Sequence, residues 1–201
     1  MTPTPDRREE VIDLAAALFA RNGIPGTSMR DLGEAAQMHA GSLYHHFRSK
    51  EGLVAIILDR LIEETSARMA TAVAEGEDVS ALETIERLIR ATLAVIEAQP
   101  DATQMYQRDM RYLRDHELLM RLEESSAEMR RYWLDALARG VADGTVRDDL
   151  PVEVMHRTMR EALWASPNWP ERAEYDLEAF SELMVKQLLG MLRPPVVRRD
   201  G

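Results

Sequence analysis

Apolar residues along this chain recur three and four positions apart over almost its whole length, and no useful stretch alternates apolar with polar. Such a chain can bury its side chains only as a set of amphipathic helices. Val11, Leu14, Ala15, Leu18 and Phe19 form the first stripe, stopped by Asn22-Gly23. After Pro25-Gly26, Ser28 caps a second short helix carrying Met29, Leu32 and Ala35-Ala36, and a third, from about Ala40 to His46, turns Leu43 and Phe47 inward. A longer helix with Leu53, Ile56, Ile57 and Leu61 runs from Lys50 to Ala74 and is closed by the turn-forming run Glu75-Gly76-Glu77-Asp78. Ser80-Ala81-Leu82-Glu83 has capping-box spacing, and the helix behind it ends before Pro100. Residues 102–114 read as one helix, and 117–143 as another of roughly 40 Å at about 1.5 Å per residue. Pro151 starts a helix that yields by Ser166-Pro167, and the last begins near Asp176. Its apolar positions, Leu177, Phe180, Leu183, Met184, Leu188 and Met191, are widened by Val185, Leu189 and Leu192 into a stripe broader than one neighbour covers. The expectation is an all-α fold of about nine helices, with a three-helix unit at 1–49, a larger helical part at 50–201 and a loose tail from Arg193.

The chain has 201 residues and no cysteine, which excludes disulfides, thiolate metal sites and thiol nucleophiles. With a polar N-terminus and no apolar run of about 18 residues, a soluble cytoplasmic protein without membrane contact is expected. A net charge of −10 ordinarily speaks against a nucleic-acid partner, because phosphate is repelled by an acidic surface. The distribution changes that conclusion. Residues 1–50 hold six Lys/Arg against six Asp/Glu, so the whole acidic excess lies beyond them, and His39, His45 and His46 sit near Arg48 and Lys50. Two parts with different tasks follow.

The second and third helices, joined by a short turn around 37–39, have the arrangement of a helix-turn-helix, whose second helix enters the major groove. In the third, Ala40-Gly41-Ser42-Leu43-Tyr44-His45-His46-Phe47, only Leu43 and Phe47 are needed inside. Ala40 and Gly41 permit close approach, Ser42 and Tyr44 can donate to phosphate or base edges, and Lys50 opens the next helix beside the DNA backbone.

Over residues 8–55 the chain resembles the DNA-binding domain of the TetR family of transcriptional repressors. The resemblance is carried by Phe19, Gly23, Thr27, Ser28, Leu32, Gly41, Ser42, Leu43, Tyr44, Phe47, Ser49, Lys50 and Leu53. It implies phosphate contacts from Thr27 or Ser28, Tyr44, His46 and Lys50, and base or groove contacts from Arg30, His39, Ala40, Gly41, Ser42 and His45. Gly33 and Met38-His39 depart from the common pattern, so the base preference cannot be copied from relatives. The plainer alternatives are that Tyr44 belongs partly to the core and that His46 is merely solvated. A metal site from His39, His45 and His46 is disfavoured, because adjacent helical residues point about 100° apart.

Seven of the eleven aromatics fall between residues 101 and 175, among them Tyr106, Trp133, Trp164 and Trp169. With Met105, Met110, Met129, Met155 and Met159 they suggest the lining of an adaptable apolar cavity, ordinary helix packing being the alternative. Arg108, Arg111, Arg157 and Arg160 suit a carboxylate or phosphate, Arg160 and Trp164 being four apart on one helix face, although pairing with Asp109 or Glu161 as surface arginines is the alternative. This part is similar to the sensor domains of the acyl-CoA-responsive TetR members, including those controlling sterol-ring catabolism. The resemblance implies a ligand site at Met105, Tyr106, Asp109, Trp133, Arg157, Arg160, Trp164 and Trp169.

The combined expectation is a homodimeric repressor, paired through helices near 151–165 and 176–192, that leaves a palindromic double-stranded operator when a small effector, such as an acyl-CoA or an apolar drug-like molecule, binds. No cofactor, metal or catalytic residue is expected. Two other classes compete: an acyl-CoA-binding enzyme and a helical adaptor for proteins. No nucleophile elbow or His-Glu-x-x-His is present, and His116 and His156, read as solvated, supply no base.

Overall fold

The computed structural model describes residues 7–74 and 79–195; the turn expected at 75–78 and the end of the tail, from 196, lie outside them. The described residues form eleven α-helices and no strand, so the fold is all-α. They fall into two compact units, Met1–Glu63 with Gln99–Ser125, and Glu64–Ala98 with Ser126–Gly201. The boundary between the units does not fall at 49/50, and the first unit includes the segment from Gln99 to Ser125.

The first unit contains α1 (Arg7–Asn22), α2 (Met29–Ala35), α3 (Ala40–His46), the beginning of α4 (Lys50–Ala74), α6 (Pro100–Arg108), α7 (Met110–Asp115) and α8 (Leu118–Ser125). Of the apolar side read from the sequence, Val11, Leu18, Phe19, Leu32, Leu43, Phe47 and Leu53 are buried and Leu14 is half-buried; Ile12, Ile24, Met105 and Leu113 join this core. Each such side chain contributes about 1.5–3 kcal/mol by leaving water. α6 packs along α1, so residues about 85 positions apart in sequence share one core.

The second unit contains the remainder of α4, α5 (Ala81–Ala98), α9 (Ala127–Ala142), α10 (Val152–Ala165) and α11 (Leu177–Leu192), with 3₁₀ turns at Ser166–Asn168 and Pro170–Glu174. α5 is its central helix, packed by α9, α10 and α11, with Ile85, Leu88, Ile89 and Leu93 fully enclosed. Ser80 caps α5 by accepting the Glu83 amide at 3.2 Å, and Asp176 caps α11 by accepting the Ala179 amide at 2.8 Å.

Two expected helices are divided. The segment 102–114 breaks at Asp109 (φ −108°, ψ 26°), whose carboxylate is bonded outside its own helix, and 117–143 breaks at Ser126 (φ −90°, ψ 0°). Periodicity misses such breaks because the apolar stripe resumes in phase on the far side.

Candidate nucleic-acid interface

α2 starts at a reciprocal cap: the Ser28 hydroxyl accepts the Asp31 amide at 3.2 Å and the Asp31 carboxylate accepts the Ser28 amide at 2.8 Å. The Ser28 hydroxyl and amide together hold the Asp31 carboxyl below its ordinary pKa. The helix ends in a turn in which Gln37 takes φ 52° and the Met38 amide donates to Gly33 O at 2.9 Å. A Cβ on Gly33 would meet Met38 O at 3.3 Å and Leu43 Cδ2 at 3.9 Å, so the missing side chain lets the turn and α3 close against α2.

α3 follows, with His39 as an N-cap residue that makes no side-chain cap bond. Leu43 and Phe47 are buried, and Gly41, Ser42, Tyr44, His45 and His46 are exposed. Tyr44 is 53% exposed, which removes it from the core. Nothing lies within 4 Å of where a Gly41 Cβ would stand. His45 and His46 are T-shaped at 5.8 Å, Arg8 lies over the Phe47 ring, and no described group of His, Asp or Glu could hold a metal. Small, hydroxyl and imidazole groups thus project from one short helix while its apolar side anchors it, the form required to read base edges and phosphates.

The other expected DNA residues are placed differently. Arg30 is exposed in an open pair with Glu34 at 3.6 Å, readily exchanged for another partner. Ser28 is exposed, its hydroxyl donating to Asp31 at 2.7 Å. Thr27 is buried and its hydroxyl donates to Gly23 O at 2.9 Å, so that group faces the protein instead of a phosphate. Lys50 Nζ donates to Ile24 O at 2.8 Å and Thr27 O at 3.1 Å. Ala40 opens α3.

The expected ligand residues do not gather in one unit. Met105, Tyr106 and Asp109 are buried in the first, where the Asp109 carboxylate accepts the Ile24 amide at 2.8 Å in place of a ligand contact. Trp133, Arg157, Arg160, Trp164 and Trp169 belong to the second. There Trp133 is buried, Trp164 is half-buried, Arg157 is exposed and Arg160 pairs with Glu161 at 2.6 Å. Trp169 is exposed and meets Phe180 edge-on at 6.1 Å. Met155 and Met159 are packed core. An open groove of about 720 Å³ runs between α4 and α5, lined by Ala67, Thr71, Ala72 and Ala91 with Glu64, Arg68, Arg87 and Arg90, and by no Met or Trp.

His156 corrects an expectation: it is buried, not solvated, with its ring 6.2 Å from that of Trp133. Burial first, then the positive charges of Arg160, Arg130 and Arg157, push its pKa down to about 4. Arg130 is a member of this cluster that its sequence spacing did not single out. An unfolded histidine takes up its proton near pH 6.5 while the folded one resists to about 4. His156 therefore favours the native state fully above pH 6.5, and that stability is lost as pH falls toward 4, about 1–2 kcal/mol of it by pH 5. Urea unfolding at pH 7.5 and 5.0 should show this loss in the native protein and a smaller one in His156→Leu.

Against known proteins, the chain matches the family model described as bacterial regulatory proteins, tetR family, over residues 11–57, and the tetracyclin repressor-like C-terminal domain over 78–192. The HTH-type transcriptional repressor KstR2 of Rhodococcus jostii is 37% identical over 177 residues, covering 84% of this chain and 86% of that protein. KstR2 of Mycobacterium tuberculosis is 33% identical, covering 81% and 80%. The solved structure of the M. tuberculosis protein, described as a ketosteroid transcriptional regulator, superposes with a TM-score of 0.83 at 29% identity, covering 94% of this chain and 96% of that one.

Proposed function

The chain belongs to the tetR family of bacterial regulatory proteins, and we propose that it reads its operator with α3 and answers to a coenzyme A thioester from sterol breakdown. It is a DNA-binding transcriptional repressor and not an enzyme, as its relatives are. Regulators of this kind bind operators and small-molecule effectors without a cofactor. No helix among the described residues is long and apolar enough to cross a membrane, and the cytoplasm is the setting proposed for it.

Arg30, His39, Gly41, Ser42 and His45 take the base and groove contacts, and Ser28, Tyr44 and His46 take the phosphates, on a palindromic site. Two copies pair through α10 and α11. The exposed Val154 and Leu183, and a Gly190 with nothing within 4 Å of a Cβ, support that pairing. Two recognition helices about 34 Å apart, or a multiple, then enter successive major grooves, and the effector releases the protein by changing that separation.

The observation that carries the effector reading is the cluster around His156. Arg130, Arg157 and Arg160 concentrate positive charge beside a neutral imidazole and Trp133, and the half-buried Trp164 follows four residues after Arg160 on the same helix. Guanidinium groups bind phosphate and carboxylate through charge-assisted bonds, and the indoles offer apolar surface to a ring system. The ketosteroid description of a solved relative supports the ring. Native mass spectrometry of the purified dimer against thioesters and their free acids should show preference for the thioester, and Arg157→Ala with Arg160→Ala should weaken it at least tenfold, about 1.4 kcal/mol. Binding of neither class overturns the thioester reading and favours an apolar effector. Loss of that reading leaves the repressor assignment standing.

A further inference from the structure

The end of α1 and the loop between α1 and α2 are gripped by three charged side chains whose partners are main-chain atoms. Arg108 Nη1 donates to Ala20 O at 3.1 Å and Arg21 O at 2.8 Å, at the carbonyl end of α1, where a cation is favoured. Asp109 accepts the Ile24 amide at 2.8 Å. Lys50 Nζ takes the carbonyls of Ile24 at 2.8 Å and Thr27 at 3.1 Å, and stands 5.4 Å from the centre of the Tyr112 ring. Tyr112 is itself held by donating to the Glu51 carboxylate at 2.6 Å. Gly23 takes φ 82°, a left-handed conformation that suits glycine, at the point where α1 gives way to this loop beside Asp109 and Arg108.

We infer that Lys50 serves DNA binding from inside the protein, as a positioning residue that acts with Arg108 and Asp109 to hold the loop entering the helix-turn-helix, and not as a phosphate ligand. Two of the three ammonium hydrogens are taken by carbonyls on either side of Pro25-Gly26, and the aromatic ring adds to the attraction for the charge. The loop has no helix of its own, so its path, and with it the start of α2, depends on these bonds. Apolar packing resists separation without fixing direction, whereas charge-assisted bonds to main-chain atoms fix both.

Two duplexes separate the roles: one selected by the native protein from a randomised pool, and one unselected. Binding by fluorescence anisotropy is followed from about 50 to 200 mM salt. With Lys50→Gln, affinity for the selected duplex should fall about tenfold, while the unselected duplex and the slope of log K against log salt stay as in the native protein. A phosphate ligand predicts the opposite: both duplexes weaken alike and the slope of the dimer falls by about 1.8, at roughly 0.9 per contact. Asp109→Asn supplies a second arm, because removing a negative charge strengthens any purely electrostatic attraction to DNA, whereas loss of the loop clamp weakens the selected duplex alone. Should Lys50→Gln not fold, Lys50→Arg keeps the charge but offers a planar fork to the two carbonyls; weakened selected binding supports the strut. Native affinity for the selected duplex in the Lys50 variant, or the reduced slope, overturns the inference.

Discussion

Gly41→Glu should abolish operator recognition while leaving the protein folded. A Cβ at this position meets nothing within 4 Å in the free protein, so no intramolecular contact requires the glycine. Inside α3, glutamate is the better helix former by about 0.5 kcal/mol, so the variant should melt at or slightly above the native temperature. On DNA the balance reverses. A helix with its side chains is about 10–12 Å wide and the major groove about 12 Å, so the second residue of a recognition helix has no room for a long side chain, and a carboxylate there faces phosphates. Affinity for the selected duplex should fall at least 100-fold, about 2.7 kcal/mol, by fluorescence anisotropy. Native affinity in this variant would mean that α3 does not enter the groove by the face carrying Gly41, Ser42 and His45.

Gly140→Ala should have the opposite profile, damaging stability through the core of the second unit. Its Cβ would stand 2.4 Å from Val146 Cγ2, 3.1 Å from Val146 Cβ and 3.3 Å from Ala81 Cβ. Val146 is tied to the same residue through its amide, which donates to Gly140 O at 2.9 Å, and is itself buried. The valine therefore cannot retreat without breaking that bond. Alanine inside a helix normally gains about 1 kcal/mol over glycine, but overpacking of this severity costs about 3 kcal/mol, which leaves a net loss of roughly 2 kcal/mol. Thermal melting should drop by roughly 4–8 °C for a chain of this size. Val146→Ala removes the offending methyl, so the double variant should recover much of the loss. An unchanged melting temperature in Gly140→Ala would show that the turn after α9 yields more easily than these distances allow.

Sequence marks Gly41 as a place of close approach, but Gly140 stands in its helical pattern with nothing to show that it, and not Gly41, is the glycine the core requires. One is open to solvent and the other is closed by a valine six residues on, a difference that exists only after the chain has turned back at Asp143-Gly144, where Gly144 takes φ 78°. The same limit applies to charged residues. Arg157 and Arg160 were legible as a pair, but Arg130, on a different helix, joins them only through the packing of α9 on α10. Lys50 and Asp109 carried the functional readings suggested by their neighbours in sequence, and packing redirected both to one loop.

By itself the sequence determined the all-α class, the helix-turn-helix, the capped start of α2 and the inward turn of Leu43 and Phe47, because these depend on contacts within a few residues. Caps reach three positions, helical stripes three and four, and the turn at Gln37 spans a handful. Tertiary structure alone decided which polar groups are available to a partner. Ile24 and Asp109 are 85 positions apart, and Tyr112 and Glu51 are 61 apart. A side chain's chemistry is written in its residue type. Its availability depends on whether folding brings a distant donor or acceptor within about 3 Å, and no local pattern encodes that distance.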